Sequence, residues 1–180
     1  NFLMIEINEG SIDLNFFENS AIRFCQKFNF GTNLIINDIS KVIAMNSQTV
    51  KNILLKSNFS MDNDKSNFIE EEFFEKQNFR KIRKKLICEI ASARIQEIAE
   101  IIIYKNINIK SFLGTDFKIF LQINDISTLK KFENIYKKFF SNNKHELKFL
   151  HKSVKDEFYE NANNIVQYGW KKEAVPIVHE

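Results

Sequence analysis

Leu3, Ile5 and Ile7 alternate with Met4, Glu6 and Asn8, and after Glu9-Gly10 the alternation resumes with Ile12, Leu14 and Phe16. A period of two is what side chains on opposite faces of a strand produce, so the stretch predicts a hairpin. A Glu18-Asn19 turn and the alternating run AIRFCQKFNF, with Ile22, Phe24, Phe28 and Phe30, add a third strand that Gly31 ends. The chain is expected to begin as a three-stranded meander.

The period then changes. Between Asn33 and Met45 the residues Leu34, Ile35, Ile39, Val42 and Ile43 recur at three and four, which predicts a helix. Ser47 is read as the cap of a second helix carrying Val50, Ile53 and Leu54. KSNFSMDNDKSN (56–67) has no pattern and reads as a loop, and FIEEEFFEK (68–76) reads as a short acidic edge strand. A long helix is predicted from Arg80 to Tyr104 on the stripe Ile87, Ala91, Ile95, Ile98 and Ile102.

KIFLQI (118–123) reads as a buried strand, STLKKFENIYKKFF (127–140) as a helix capped at Ser127, ELKFLH (146–151) as a strand, and VKDEFYENANNIVQYG (154–169) as a closing helix. The order βββ, αα, β, α, βα, βα predicts an α/β fold, a mixed sheet layered with helices.

Composition narrows the picture. At 180 residues the chain can hold one substantial core, or one domain with a smaller insert. One Pro and four Gly exclude collagen-like, linker-dominated and disordered classes, and the 19 Phe are read mostly as core. A net charge of +3 is too mild for the dense basic face of a nucleic-acid binder, so no nucleic-acid partner is expected. Cys25 and Cys88 lack metal or disulfide spacing and are read as reduced, buried thiols. His145, His151 and His179 share no ligand spacing and lack an obvious nucleophile partner, so neither a metal nor catalysis is assigned to them.

Several stretches, in order and spacing, resemble the second half of the bacterial cell-division protein FtsA, an actin-like protein family. EINEGSID (6–13) stands where that family has a phosphate hairpin, with Gly10, Ser11 and Asp13 matching and Glu6 at an aspartate position. FNFGTNLIINDISKVI (28–43) is similar to the segment that follows, with Gly31, Asn33, Ile35, Asp38 and Ile39 in place. EIASARIQEIAEII (89–102) resembles a family helix through Arg94, Glu97 and Ile98, and NANNIVQYGW (161–170) resembles its closing helix.

The resemblance implies an actin-like (ribonuclease H-like) second half, with 1–31 and 86–180 as subdomain 2A and 32–85 as a small inserted subdomain 2B. It also implies a piece of a longer protein, without the N-terminal actin-like half and a C-terminal membrane helix. The implied work is that of an adaptor at the inner face of the cell membrane at the division site, cytoplasmic, self-associating into actin-like filaments and receiving the acidic C-terminal tail of FtsZ. Arg80, Arg83, Lys84 and Arg94 are the basic residues that would suit that tail.

The family's cofactor is ATP with Mg, at positions that fall on Glu6, Gly10, Ser11, Asp13 and Gly31. Yet only one of the hairpin's three glycines is present, Glu9 brings a negative charge toward the phosphate position, and LQINDISTL (121–129) has no glycine at the adenosine turn. Nucleotide binding is therefore expected to be weakened, and the function to be binding rather than catalysis. The alternatives are a working actin-like ATPase, or another actin-like assembly protein such as a pilus-assembly or chaperone relative. In plain chemical terms, RKIRKK (80–85) is a solvated helix start and Arg94 pairs with Glu89 or Glu97 on its own helix.

Overall fold

The predicted meander forms: β1 (Phe2–Ile7), β2 (Ile12–Glu18) and β3 (Ala21–Phe28) pair antiparallel in sequence. β4 (Lys118–Ile123) lies parallel to β1 and β5 (Leu147–Phe149) parallel to β4, giving a five-stranded mixed sheet in the order β3-β2-β1-β4-β5. The structure is a computed structural model; it describes residues 1–18, 21–57, 68–74, 79–112, 117–141 and 145–150, and every element named below lies in the unit Asn1–Phe149. The closing helix expected at 154–169, and His151 and His179, lie outside the described residues.

Alternation decides which sheet face is buried. Leu3, Ile5 and Ile7 of β1, Ile12, Leu14 and Phe16 of β2, and Ile119, Leu121 and Ile123 of β4 are all buried. Against this face pack α1 (Asn33–Ile43), α2 (Ser47–Lys56), α3 (Lys84–Ala99) and α4 (Ile126–Phe140), with Ile35, Ile36, Ile39, Ile53, Ile87, Ile95 and Phe132 in the same core. At about 25 cal/mol per Å² of apolar surface removed from water, this layer is the main stabilising contribution.

Several boundaries differ from the sequence reading, each for a local reason. α2 is capped by Asn46, whose side chain accepts from the Thr49 N–H at 2.7 Å, and α4 by Asp125, which accepts from the Ser127 N–H at 2.9 Å. Each polar residue lies ahead of the predicted serine cap and reaches the free N–H first.

FIEEEFFEK does not form a strand. Phe68 makes only an isolated bridge to Arg83, and Glu71–Phe74 is a 3-10 turn. Phe73 and Phe74 are both buried, which adjacent strand positions, facing opposite ways, do not allow on one covered face.

The long helix starts at Lys84 rather than Arg80, because the Ile82 carbonyl accepts from the Ile69 N–H at 2.9 Å and holds this stretch extended. Its end, Glu100–Tyr104, is wound as a π-helix that buries Ile102 and Ile103 together. Cys25, expected to be buried, is exposed on β3, and Cys88 is half-buried.

Candidate functional site

From β1 the chain turns to β2 on one side, and from β4 it passes through α4 to β5 on the other. The carboxyl ends of β1 and β4 therefore flank the point where the strand order reverses, the place where open α/β sheets form a crevice. The outward alternation of both strands brings Glu6, Gln122 and, just past the strand ends, Asn8 and Asn124 together there. Glu6 faces Asp13 across the hairpin.

These side chains bind one another. The Asn124 amide donates to Glu6 Oε1 at 2.8 Å and to Asn8 Oδ1 at 2.7 Å, while Gln122 donates to Asn124 Oδ1 at 2.7 Å. The Asn8 amide donates to Asp13 Oδ2 at 3.4 Å and to Ser11 Oγ at 3.5 Å, and Lys27 pairs with Asp13 at 3.6 Å. The structure thus brings Glu6, Ser11 and Asp13 of the predicted set into one polar network. Its organisers are Asn8, Gln122 and Asn124, to which the sequence reading assigned no site role.

The β1–β2 turn, Asn8 to Ser11, is closed by the Asn8 N–H donating to the Ser11 carbonyl at 2.9 Å. Its other carbonyls face the start of α1: the Thr32 N–H donates to Asn8 O at 3.0 Å and the Asn33 N–H to Glu9 O at 2.9 Å. Two N–H groups that a helix start would offer an anion are therefore already satisfied.

The two predicted glycines now separate. Gly31 sits so close to the turn that a Cβ there would lie 2.1 Å from Asn8 O and 2.7 Å from Glu9 O, so only glycine allows this approach. Gly10 has no positive φ, and a Cβ there would meet nothing within 4 Å. The hairpin does not need it.

A buried link ties the two helix starts. Thr32 Oγ1 donates to Asp125 Oδ2 at 2.7 Å, and the other Asp125 oxygen accepts from the Ser127 hydroxyl at 2.6 Å. Glu9 points outward to α2, where its carboxylate pairs with Lys51 at 2.8 Å.

Of the four basic candidates, Arg80 and Arg83 line one groove, whereas Lys84 and Arg94 are engaged elsewhere. Arg80 donates from Nη2 to the Ile43 and Ala44 carbonyls, both at 3.0 Å, and so caps the C-terminal end of α1. Lys84 is buried against Glu70 at 2.5 Å. Arg94 bridges helices, pairing with Asp38 of α1 and, as its spacing predicted, with Glu97, both at 2.5 Å; the Asp38 hydrogen bond pushes its pKa up.

Arg83 is exposed, as is Arg80, and among the described residues it makes no ion pair. It shares a groove of about 570 Å³ with Arg80, Lys81, Lys85, Val42 and Leu86, between the end of α1 and the start of α3.

A Mg-nucleotide does not fit the residues present. The Glu9 carboxylate adds a negative charge to the turn, the start of α1 is hydrogen-bonded to the turn itself, and Asn124 and Asp125 are held by neighbouring side chains where a glycine turn would be needed. Among the described residues no three His, Cys, Asp or Glu side chains are grouped to hold a metal ion.

No protein-family model matches the sequence, and no curated protein matches it significantly. Solved structures do. The ethanolamine utilization protein EutJ from Carboxydothermus hydrogenoformans superposes with a TM-score of 0.52 at 11% identity, over 82% of this chain and 44% of that one. MreB 5 of Spiroplasma citri, bound to AMPPNP, superposes with a TM-score of 0.53 at 15% identity, over 93% of this chain and 55% of that one. The chain thus spans about half the length of these structures. Both are actin-like proteins, and the fold of this chain, a mixed five-stranded sheet covered by helices, is actin-like.

Proposed function

We propose that this chain is part of an FtsA-like, actin-fold adaptor that acts by binding and has given up most of its grip on nucleotide. The observation that carries the second half of this reading is the engagement of the Thr32 and Asn33 N–H groups by the turn's own carbonyls. The first half rests on the actin-like fold together with the order of the sequence resemblances. In this reading 1–31 and 86–180 form subdomain 2A and 32–85 an inserted 2B, and the whole protein works at the cytoplasmic face of the membrane.

The partner in this reading is the acidic tail of FtsZ. Its carboxylates suit Arg83 and Lys81, Lys85 lying 3.8 Å from Glu89 of the same groove, and its apolar residues suit the exposed Val42 and Leu86. A titration of the full-length protein with that tail tests it. Saturable binding that weakens with salt is expected, and no detectable association overturns the reading.

A second reading, a nucleotide-dependent actin-like protein, is favoured by one observation, the pair of carboxylates Glu6 and Asp13 retained at the crevice. Thermal stabilisation of the full-length protein by Mg-ATP is its expected outcome, and no shift at millimolar ATP rules against it.

A further inference from the structure

The charges around the β1–β2 turn bear on the weakened nucleotide binding proposed above. Glu9 and Gly10 are exposed, and their backbone N–H groups have no acceptor among the described residues. Exposed backbone N–H groups without a protein acceptor can donate to an anion. The cation facing this turn from α2 is Lys51, whose ammonium lies 2.8 Å from Glu9 Oε2. The ingredients of an anion site, free turn donors and a facing ammonium, are thus both present. The charge that completes them is the turn's own carboxylate.

We infer that Glu9 acts as the resident anion of this turn, an intramolecular stand-in for phosphate that neutralises Lys51 and repels any free anion. The inference rests on the weakened-nucleotide reading above and names its cause. Two features separate this from an ordinary surface ion pair. The pair joins the turn to α2, forty-two residues away in sequence, and it sits on a turn whose Asn8 and Glu9 carbonyls are fixed to the start of α1. The backbone at the base of the Glu9 side chain is thus fixed, and the Lys51 pair at 2.8 Å sets the direction of its carboxylate.

Glu9 is mostly exposed, so Glu9→Gln leaves the fold intact while removing the charge. Inorganic pyrophosphate is the probe, titrated into the full-length protein while the backbone amide resonances of Glu9 and Gly10 are followed. The wild type is expected to show no saturable shift at millimolar pyrophosphate. E9Q is expected to bind on the order of tenfold more tightly, since a like charge beside the site is removed and Lys51 is released. E9Q combined with Lys51→Met is expected to lose that gain.

Equal responses of wild type and E9Q overturn the inference, as does a gain that survives K51M. So does saturable binding at these amides in the wild type. None of these results touches the tail titration, so the adaptor reading and the Glu9 assignment fail separately.

Discussion

Thr32 Oγ1 donates to Asp125 Oδ2 at 2.7 Å, and through this bond the first residue before α1 is tied to the residue that caps α4, 93 positions away. Both side chains are buried, so neither has water to fall back on. Asp125→Ala removes a helix cap and leaves the Thr32 hydroxyl unsatisfied, a combined cost of about 2–4 kcal/mol. Thr32→Val removes only the donor, because Asp125 keeps its bonds to Ser127, and costs about 1 kcal/mol. Urea denaturation of the two single variants and the double variant checks this, and a coupling near zero refutes the link.

The two glycines at the family's nucleotide positions, Gly10 and Gly31, should behave oppositely. Gly31→Ala places a methyl group 2.1 Å from a backbone oxygen that cannot rotate away, so the turn must move and break its bonds to Thr32 and Asn33. Overpacking of this kind costs about 1–3 kcal/mol. Gly10→Ala meets open space at an ordinary φ and should change stability by less than about 0.5 kcal/mol. A thermal melt of both variants decides it; a larger loss at Gly10 contradicts the geometry described.

Much of this architecture is legible in the sequence because strand alternation and helical periodicity survive independently of neighbours. The meander, α1, α2 and the strands KIFLQI and ELKFLH follow from period alone. What fails is what depends on contacts distant in sequence. Nothing local in RKIRKK says that Arg80 will cap α1 or that the Ile82 carbonyl will bond Ile69, yet these contacts move the start of α3 by four residues, from position 80 to position 84. The same holds at the crevice. Asn8, Gln122 and Asn124 look like lost motif positions until β1 and β4 are placed side by side and their amides meet.

Acid should expose the Glu70 anchor. Burial works to raise the Glu70 carboxyl pKa, but hydrogen bonds from Lys84, its own backbone N–H and Ser57 outweigh it and leave the value below the ordinary 4.5. A carboxylate with a depressed folded pKa contributes stability that is present above the unfolded value and lost as pH falls through the folded one. Glu70→Gln should therefore cost about 1 kcal/mol at neutral pH, discounted for the partial exposure of the carboxylate. The difference from wild type should shrink below pH 4.5. Denaturation midpoints across that range test it; a gap that stays constant into acid refutes the assignment.

Arg94 and Arg83 separate stability from recognition. Arg94 holds Asp38 of α1 against α3 and also Glu97, so Arg94→Gln should lower stability by about 1–2 kcal/mol through the loss of two charge-assisted bonds. Arg83 is exposed at the groove beside Lys81 and Lys85, so Arg83→Gln should leave the melting temperature nearly unchanged. If the groove receives an acidic segment, R83Q should weaken that binding severalfold and flatten its salt dependence, while R94Q, measured below its own unfolding transition, should not. Paired melting curves and peptide titrations on the same two proteins give the answer. A peptide response that follows Arg94 instead of Arg83 would place the contact on the α1–α3 seam and remove the groove from consideration.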